Sequence, residues 1–342
     1  MTKYRFVQMD VFTDQPFAGN PLAVFPEAEG LTDDEMMKIA REMNLSETVF
    51  VLKPEASETG PVDGGNSSIS DAAENTGVSM ASATPASSVL RRLRIFTPAR
   101  EIPFAGHPIV GTWNALAREG VVPVPEGGSG WTRIQHEVGI GVLPVEIEFK
   151  DGGPSQVVMT QGKFEILGEV DDGQEQAEIA RALGFAREDL DESLPIQVIT
   201  TGLSCLAVPI RSLSDLSHCR VNSSLLAEIY VRLGATGCLA FARETIEIGE
   251  ARAHARFFAP ADNIPEDPAT GSACGALGAY LVHHGASGVE SEDGKYEFVI
   301  EQGDFINRPS RIHLEVSGKP GSVEQVRVGG QSVVVARGEV EF

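Results

Sequence analysis

Two short glycine-containing turns, each placed directly before a helical stretch, constrain the fold of this chain most. They are Gly106-His107-Pro108 and Thr270-Gly271-Ser272, and the stretches after them end at Gly120 and Gly285. Glycine allows a ligand to approach the backbone, and the first turn of a helix offers unpaired N–H groups at the positive end of its dipole. Each turn is therefore a candidate carboxylate-binding site, and the alternative for each is a simple turn or cap.

The elements around these turns follow a similar order in the two halves of the chain. In the first half, a capping box of Thr32 and Glu35 predicts a helix over residues 33–43, between strand-like stretches. In the second half, a helix is expected over residues 174–183, again between strand-like stretches, and residues 311–342 are strand-rich. This repetition predicts an α+β protein of two similar domains that face each other across a cleft.

The length of 342 residues also suggests two domains, since an average domain has roughly 150 residues. We expect an N-terminal domain of residues 1–128 and a C-terminal domain of residues 129–342, whose last strands cross back to the first domain. Residues 54–90 are rich in Ser, Ala, Gly, Pro and Thr and contain no aromatic side chain. Such a segment buries too little apolar surface to offset its ordering entropy, so we predict a surface insertion without a chemical role.

The net charge of −22 argues against nucleic acid or an anionic membrane as a partner, because the mean field repels both. No apolar run approaches the roughly 18 residues of a membrane helix, so we expect a soluble, cytoplasmic protein. An anionic small substrate would then require a locally positive site. Backbone N–H groups at the two helix starts supply positive potential without Lys or Arg.

The common cofactor and nucleophile motifs are absent from the sequence. It has no phosphate-binding loop, no dinucleotide-binding glycine motif and no nucleophile elbow. His136-Glu137 begins like a zinc-protease motif, but Ile140 stands where the second histidine belongs. The four cysteines are too far apart for a Cys-x-x-Cys pair, and a chain of this size needs no disulfide framework. Nucleotide, serine-hydrolase and zinc-hydrolase functions therefore have no local support.

Three candidate acid–base groups lie near the helix starts or at a strand start. Glu47 is a lone carboxylate that enters an apolar strand, where burial would raise its pKa and suit it to exchange a proton. The alternative is an exposed glutamate at a strand end. His107 is either a proton or hydrogen-bond donor to a substrate carboxylate or a histidine that packs at a helix start. Asp267 is either a functional carboxylate or an acid favoured by the helix dipole.

Several ordered motifs identify a resemblance to the phenazine-biosynthesis PhzF-like family, and it covers the whole chain except the insertion. These motifs are Phe17-Ala18-Gly19-Asn20-Pro21-Leu22-Ala23-Val24, Leu45-Ser46-Glu47-Thr48-Val49-Phe50, Phe104-Ala105-Gly106-His107-Pro108, Thr201-Gly202-Leu203, Glu266-Asp267-Pro268-Ala269-Thr270-Gly271-Ser272-Ala273, Gln302-Gly303 and Arg308-Pro309-Ser310-Arg311-Ile312. The resemblance implies a diaminopimelate-epimerase-like fold of two similar α+β domains. Each domain is then a curved mixed sheet around a central helix, with the active site in the cleft between the domains.

The resemblance also implies a homodimer that needs no metal and no organic cofactor, and that acts on a small anionic metabolite with a carboxylate. The activity implied is isomerisation of a dihydro-hydroxyanthranilate, in which a glutamate moves a proton between two carbons. By this resemblance the site residues fall into two groups. The catalytic group is Glu47, His107 and Asp267, and the substrate-binding group is Asn20, Ser46, Gly106, Gly271 and Ser272.

The epimerases of this superfamily use two cysteines, and the chain departs from that pattern. Its first turn, Ala105-Gly106-His107-Pro108, lacks the thiol, and Cys274 lies past the start of the second helix. Two-thiol racemisation is therefore disfavoured. The sequence predicts a cofactor-independent isomerase with glutamate acid/base catalysis. The alternatives are a catalytically inactive small-molecule-binding protein of the same fold and a two-base epimerase that uses Glu47 and Asp267.

Overall fold

The structure of the chain, a computed structural model, describes residues 2–55 and 89–342. The insertion predicted at residues 54–90 lies almost entirely outside the described residues. The chain divides into two compact units, of which the first is Met1–Thr160 with Gly329–Phe342 and the second is Gln161–Val328. None of the helices in the described part of the chain has the length and apolar character required to cross a membrane.

The described residues form strands and helices in a mixed α+β arrangement. The strands are β1 (Lys3–Val11), β2 (Asn20–Phe25), β3 (Glu47–Leu52), β4 (Val89–Phe96), β5 (Glu101–Ile102), β6 (Gly130–Val138), β7 (Gly141–Lys150), β8 (Gly153–Thr160), β9 (Glu165–Glu169), β10 (Gln197–Thr200), β11 (Ser204–Pro209), β12 (Cys238–Ala242), β13 (Ala251–Ala259), β14 (Ile264–Asp267), β15 (Lys295–Gln302), β16 (Ser310–Lys319), β17 (Ser322–Gly330) and β18 (Ser332–Glu341). The α-helices are α1 (Asp33–Met43), α2 (Gly106–Arg118), α3 (Gly173–Leu183), α4 (Leu213–Ser217), α5 (Ser223–Arg232) and α6 (Gly271–His283).

Helix α1 has the bounds that its capping box predicts. The Glu35 N–H donates to Thr32 Oγ1 at 3.3 Å, and the Thr32 N–H donates to Glu35 Oε2 at 2.8 Å. Asn44 ends the helix in the left-handed conformation. The helix buries its apolar face against β3 and β4. The reciprocal cap therefore fixes where this helix begins, as the sequence indicates.

In the first unit, a sheet wraps one central helix. Strand β1 is antiparallel to β2, β2 is parallel to β3, β3 is antiparallel to β4, β4 is parallel to β6, and β6 is antiparallel to β7. Helix α2 packs against β1, β2, β3, β7, β8 and β18, so its residues from Gly106 to Ala117 are all buried. A Cβ at Gly111 would lie 2.6 Å from Val11 Cγ2 and 2.7 Å from Leu22 Cδ2, so glycine permits this close packing.

The second unit repeats the same pairing order. Strand β10 is antiparallel to β11, β11 is parallel to β12, β12 is antiparallel to β13, β13 is parallel to β15, and β15 is antiparallel to β16. Helix α6 packs against β10, β11, β15 and β16, and only Ser272 among its residues up to Val282 is not fully buried. The short strands β5 and β14, which precede α2 and α6, also correspond. These matching orders confirm two similar domains, each built around one central helix.

The first unit extends further along the chain than the boundary expected at 128/129. Strand β6 joins the first sheet through its parallel pairing with β4, and β7 and β8 continue the sheet by antiparallel pairing. The division therefore follows β8, after Thr160. The last strand, β18, belongs to the first unit because it pairs with β1 along its length.

Candidate active site

Glu47 is the first residue of β3, and its carboxyl group is buried in the first unit. Its side chain is only 12% exposed, and Oε2 makes no aligned hydrogen bond with a described residue. Burial raises the pKa of Glu47 from 4.5 to about 7, and the neighbouring Ser46 hydroxyl opposes this shift to a smaller extent. The exposed strand-end alternative is therefore wrong. At neutral pH the group is poised between its acid and base forms, which suits a group that takes and returns a proton.

His107 lies directly beside this carboxyl group. Its Nε2 is 3.2 Å from Glu47 Oε2, and its side chain is 8% exposed. Its other ring nitrogen, Nδ1, is 3.4 Å from Asn20 Nδ2. The Asn20 amide nitrogen is a donor, so Nδ1 accepts and the proton of the neutral ring is on Nε2, which lies beside Glu47 without an aligned hydrogen bond to a described residue. The geometry thus gives His107 a contact with the acid–base group as well as a place at the helix start.

Asn20 links His107 to the residue before Glu47. Ser46 Oγ donates to Asn20 Oδ1 at 3.2 Å, which leaves the Asn20 amide nitrogen to face His107. Asn20 is 0% exposed. Gly19 before it has φ +63°, and a Cβ there would lie 2.3 Å from the Val11 carbonyl oxygen, so only glycine fits this turn. Asn20 therefore contacts both Ser46 and His107, and its contact with the substrate stays a prediction.

The start of α2 has the character of an anion site. No side chain caps its first turn, and that turn contains no acidic residue. Pro108 has no N–H, so Gly106 and His107 carry the backbone donors of the turn. The first unit thus brings together five of the predicted site residues, which are Asn20, Ser46, Glu47, Gly106 and His107.

The second unit brings together the other three predicted residues, Asp267, Gly271 and Ser272. Asp267 ends β14, is 8% exposed, and accepts a hydrogen bond from Thr270 Oγ1 at 2.5 Å. Helix α6 begins at Gly271 with no side-chain cap and no acid in its first turn. Asp267 therefore lies before the helix and not within its first turn. Ser272 is the partly exposed residue of this otherwise buried helix start.

The roles of Thr270, Gln302 and Gln161 escaped the sequence analysis. Gln302 Nε2 donates to the Asp267 carbonyl oxygen at 2.7 Å, and Gln161 Nε2 donates to the Gly271 carbonyl oxygen at 2.9 Å. In the sequence, Gln302-Gly303 contributes only to the family resemblance. A glutamine at a strand end carries no local signal that it will reach a helix start far away in the sequence.

Cys274 and Cys205 are unsuited to act as catalytic bases. The Cys274 thiol is fully buried and donates to Gln302 Oε1 at 3.2 Å, and burial raises the pKa of this thiol well above 9.0. Burial likewise raises the pKa of the Cys205 thiol to about 12. Both thiols therefore stay protonated at neutral pH and cannot accept a proton from a substrate. No cluster of three or more metal-ligating side chains occurs within residues 2–55 and 89–342.

Comparison with known proteins decides the family. The model of the PhzC-PhzF family, phenazine biosynthesis-like protein, matches residues 9–63 and 68–338. The chain belongs to this family. It is 35% identical to an uncharacterized isomerase of Clostridium acetobutylicum, over 99% of this chain and 98% of that protein. It is 31% identical to the trans-2,3-dihydro-3-hydroxyanthranilate isomerase of Pseudomonas chlororaphis, over 98% of this chain and 99% of that protein.

A solved structure of the PhzF family supports the same conclusion about the fold. The phenazine biosynthesis protein of Bacillus anthracis aligns with a TM-score of 0.79 and 26% identity, and the alignment covers 100% of both chains. This PhzF-like chain is an isomerase, the class named for its curated relatives. The expected fold and enzyme class are thereby confirmed.

The raised pKa of Glu47 predicts a stability gain for Glu47→Gln at alkaline pH. The folded protein keeps this carboxyl group protonated up to about pH 7, whereas the unfolded chain ionises it near 4.5. Stability therefore falls as pH rises through this window, by up to about 3 kcal/mol. Chemical unfolding should show the variant more stable than the wild type at pH 8, with the difference shrinking towards pH 4.5. A constant difference at all pH values would contradict the assigned pKa.

Proposed function

We propose that the protein is a cofactor-independent isomerase that moves a proton between two carbons of a small carboxylate-bearing metabolite. The observation that carries this proposal is the buried Glu47 carboxyl group, with a pKa of about 7, at 3.2 Å from His107. Trans-2,3-dihydro-3-hydroxyanthranilate, the compound in the names of three relatives, is the first substrate to test.

In the proposed mechanism, Glu47 acts first as the base and then as the acid. The Glu47 carboxylate takes a proton from one substrate carbon, and the electron pair of the broken C–H bond shifts into the conjugated system. The carboxyl proton of Glu47 exchanges in part with solvent, and protonated Glu47 then gives a proton to another carbon, so no oxidant or reductant is needed. Burial favours the neutral carboxyl group, so it assists Glu47 in taking the proton from the substrate. A pKa near 7 still allows protonated Glu47 to give a proton to the second carbon. His107 Nε2, at 3.2 Å from Glu47 Oε2, is proposed to donate to the carboxylate form during turnover.

The helix starts are proposed to hold and stabilise the substrate. The starts of α2 and α6 have no side-chain cap, and the proposed donors are their first backbone N–H groups, at Gly106 and His107 and at Gly271 and Ser272. Such preorganised donors favour a carboxylate and the negative charge that develops during proton abstraction. Asp267 is proposed to assist catalysis, and Ser46 and Ser272 to bind substrate. Asn20 is assigned to orient Ser46 and His107.

Turnover of the named compound in deuterated water tests this function. We expect NMR to show an isomer whose double bonds have moved and which carries one carbon-bound hydrogen at a new position. Inversion at one stereocentre without a shift of double bonds would instead support a two-base epimerase. Saturable binding without any turnover, repeated across carboxylate-bearing metabolites, would support an inactive binding protein. The homodimer stays a prediction of the resemblance, and the cytoplasmic location stays a prediction from the sequence.

A further inference from the structure

Gln302 connects the carboxylate of the second unit to the helix start that follows it. Its Nε2 donates to the Asp267 carbonyl oxygen at 2.7 Å and to Thr270 Oγ1 at 3.1 Å, and its Oε1 accepts the Thr270 N–H at 3.0 Å. Thr270 Oγ1 in turn donates to Asp267 Oδ2 at 2.5 Å. Because the Thr270 hydroxyl receives a hydrogen bond from Gln302, its own proton is directed at the carboxylate.

Gln302 reaches the segment from Asp267 to Thr270 because the next residue, Gly303, lets the two backbones lie close together. Gly303 has φ +84°, and a Cβ there would lie 2.5 Å from the Pro268 carbonyl oxygen. Gln302 itself is 0% exposed. Both the nitrogen and the oxygen of the side-chain amide thus form hydrogen bonds with the segment from Asp267 to Thr270. The oxygen, Oε1, also accepts a hydrogen bond from the Cys274 thiol. A fully satisfied buried amide fixes a single local geometry.

Gln161 holds the same helix start from another side. Its Nε2 donates to the Gly271 carbonyl oxygen at 2.9 Å, and its Oε1 accepts from Thr201 Oγ1 at 2.6 Å. A Cβ at position 275 would lie 2.1 Å from Gln161 Oε1, so Gly275 is what lets this side chain reach the helix. Gln161 is 8% exposed. Two buried glutamines therefore fix consecutive residues, Thr270 and Gly271.

We propose that Gln302 and Gln161 are positioning residues of the isomerase site. Gln302 acts through Thr270 to orient the Asp267 carboxylate, and Gln161 fixes Gly271 so that the first N–H groups of α6 keep their direction. Neither glutamine needs to touch the substrate. The inference rests on the proposed function, because it assigns these residues to the proton-transfer site. Displacements of about 1 Å at such groups cost roughly 100-fold in rate.

The variants Gln302→Met and Gln161→Met test this proposal, since methionine keeps the length of the side chain and removes its hydrogen bonds. We expect Gln302→Met to lower kcat about 10- to 100-fold with little change in KM, because it disturbs Asp267. Gln161→Met should instead raise KM about 10-fold, because it disturbs the donors that hold the substrate carboxylate.

Gln197→Met is the matched control. Gln197 is 3% exposed and donates to Glu169 Oε2 at 2.6 Å, and its Oε1 lies 2.9 Å from His284 Nε2, just past the other end of α6. It is a buried glutamine of the same unit, so its replacement should cost stability without the kinetic changes. If all three variants lose activity equally, or if Gln302→Met and Gln161→Met keep the wild-type kcat and KM, the positioning role is overturned.

Amide hydrogen exchange separates this inference from the proposed function. The Thr270 N–H loses its acceptor in Gln302→Met, so its exchange should accelerate at least about 10-fold, while Gln197→Met leaves it unchanged. If the wild type fails to turn over the substrate, the proposed function fails, and exchange at Thr270 still decides whether Gln302 holds the turn. Unchanged exchange at Thr270 in Gln302→Met would overturn the inference whatever the activity.

Discussion

Replacing Glu47 by Gln should lower kcat by about 10²- to 10⁴-fold, the contribution expected of a general acid–base group. Glutamine keeps the size and shape of the side chain but cannot carry a proton between two carbons. The substrate is held by the backbone donors of the helix starts in our proposal, so its dissociation constant should change by less than about threefold. Steady-state kinetics together with calorimetric titration measure the two quantities.

A matched control for this variant is Glu42→Gln. Glu42 lies in α1 and is exposed, so its replacement removes one carboxylate of the first unit without touching the buried site. We expect this control to keep the wild-type kcat. A Glu47→Gln enzyme with undiminished kcat would remove Glu47 from the mechanism, and equal losses in both variants would indicate a general effect of charge.

The second large effect is acid destabilisation caused by His136. This histidine lies in β6 with 0% exposure, and neither ring nitrogen has a hydrogen-bond partner among the residues that the structure describes. Burial lowers the pKa of His136 from 6.5 to about 3. The unfolded chain binds a proton below pH 6.5, whereas the folded protein does not until about pH 3. Stability is therefore lost as pH falls, by about 3 kcal/mol between pH 6.5 and pH 4.

Chemical unfolding of the wild type and His136→Phe between pH 8 and pH 4 measures this effect. The ring of His136 lies 5.7 Å from that of Trp113, so phenylalanine preserves the aromatic neighbour. At pH 8 the two proteins differ only in packing, which provides the reference. As pH falls to 4, we expect the variant to gain about 3 kcal/mol relative to the wild type. Parallel stability curves would show that His136 does not titrate differently on folding.

Local sequence signals predicted those features of the fold that depend on neighbouring residues. The reciprocal hydrogen bonds of Thr32 and Glu35 set the first residue of α1, and both are short-range. The two glycine-containing turns begin α2 and α6, the central helices of the two units. For Glu47, an acid that enters an apolar strand, the sequence left burial and exposure open, and the structure shows a buried carboxyl group with a raised pKa.

The features that the sequence did not predict depend on long-range contacts. The unit boundary follows from the pairing of β6 with β4, which local patterns do not reveal. The bond from Gln302 to Thr270 spans a separation of 32 residues, and that from Gln161 to Gly271 spans 110 residues. The complete burial of His136 likewise depends on its packing against side chains of α2 such as Trp113. A glutamine or histidine in a strand carries no sign of such contacts.

The central claim is that Glu47 moves a proton between two carbons of one substrate, and solvent-deuterium labelling tests it most directly. The enzyme is incubated with trans-2,3-dihydro-3-hydroxyanthranilate in deuterated water, and the product is analysed by NMR and mass spectrometry. Our account predicts that the wild type forms an isomer with partial deuterium at the one carbon that Glu47 reprotonates, and that Glu47→Gln incorporates none. Deuterium incorporation by Glu47→Gln at the wild-type rate would contradict it.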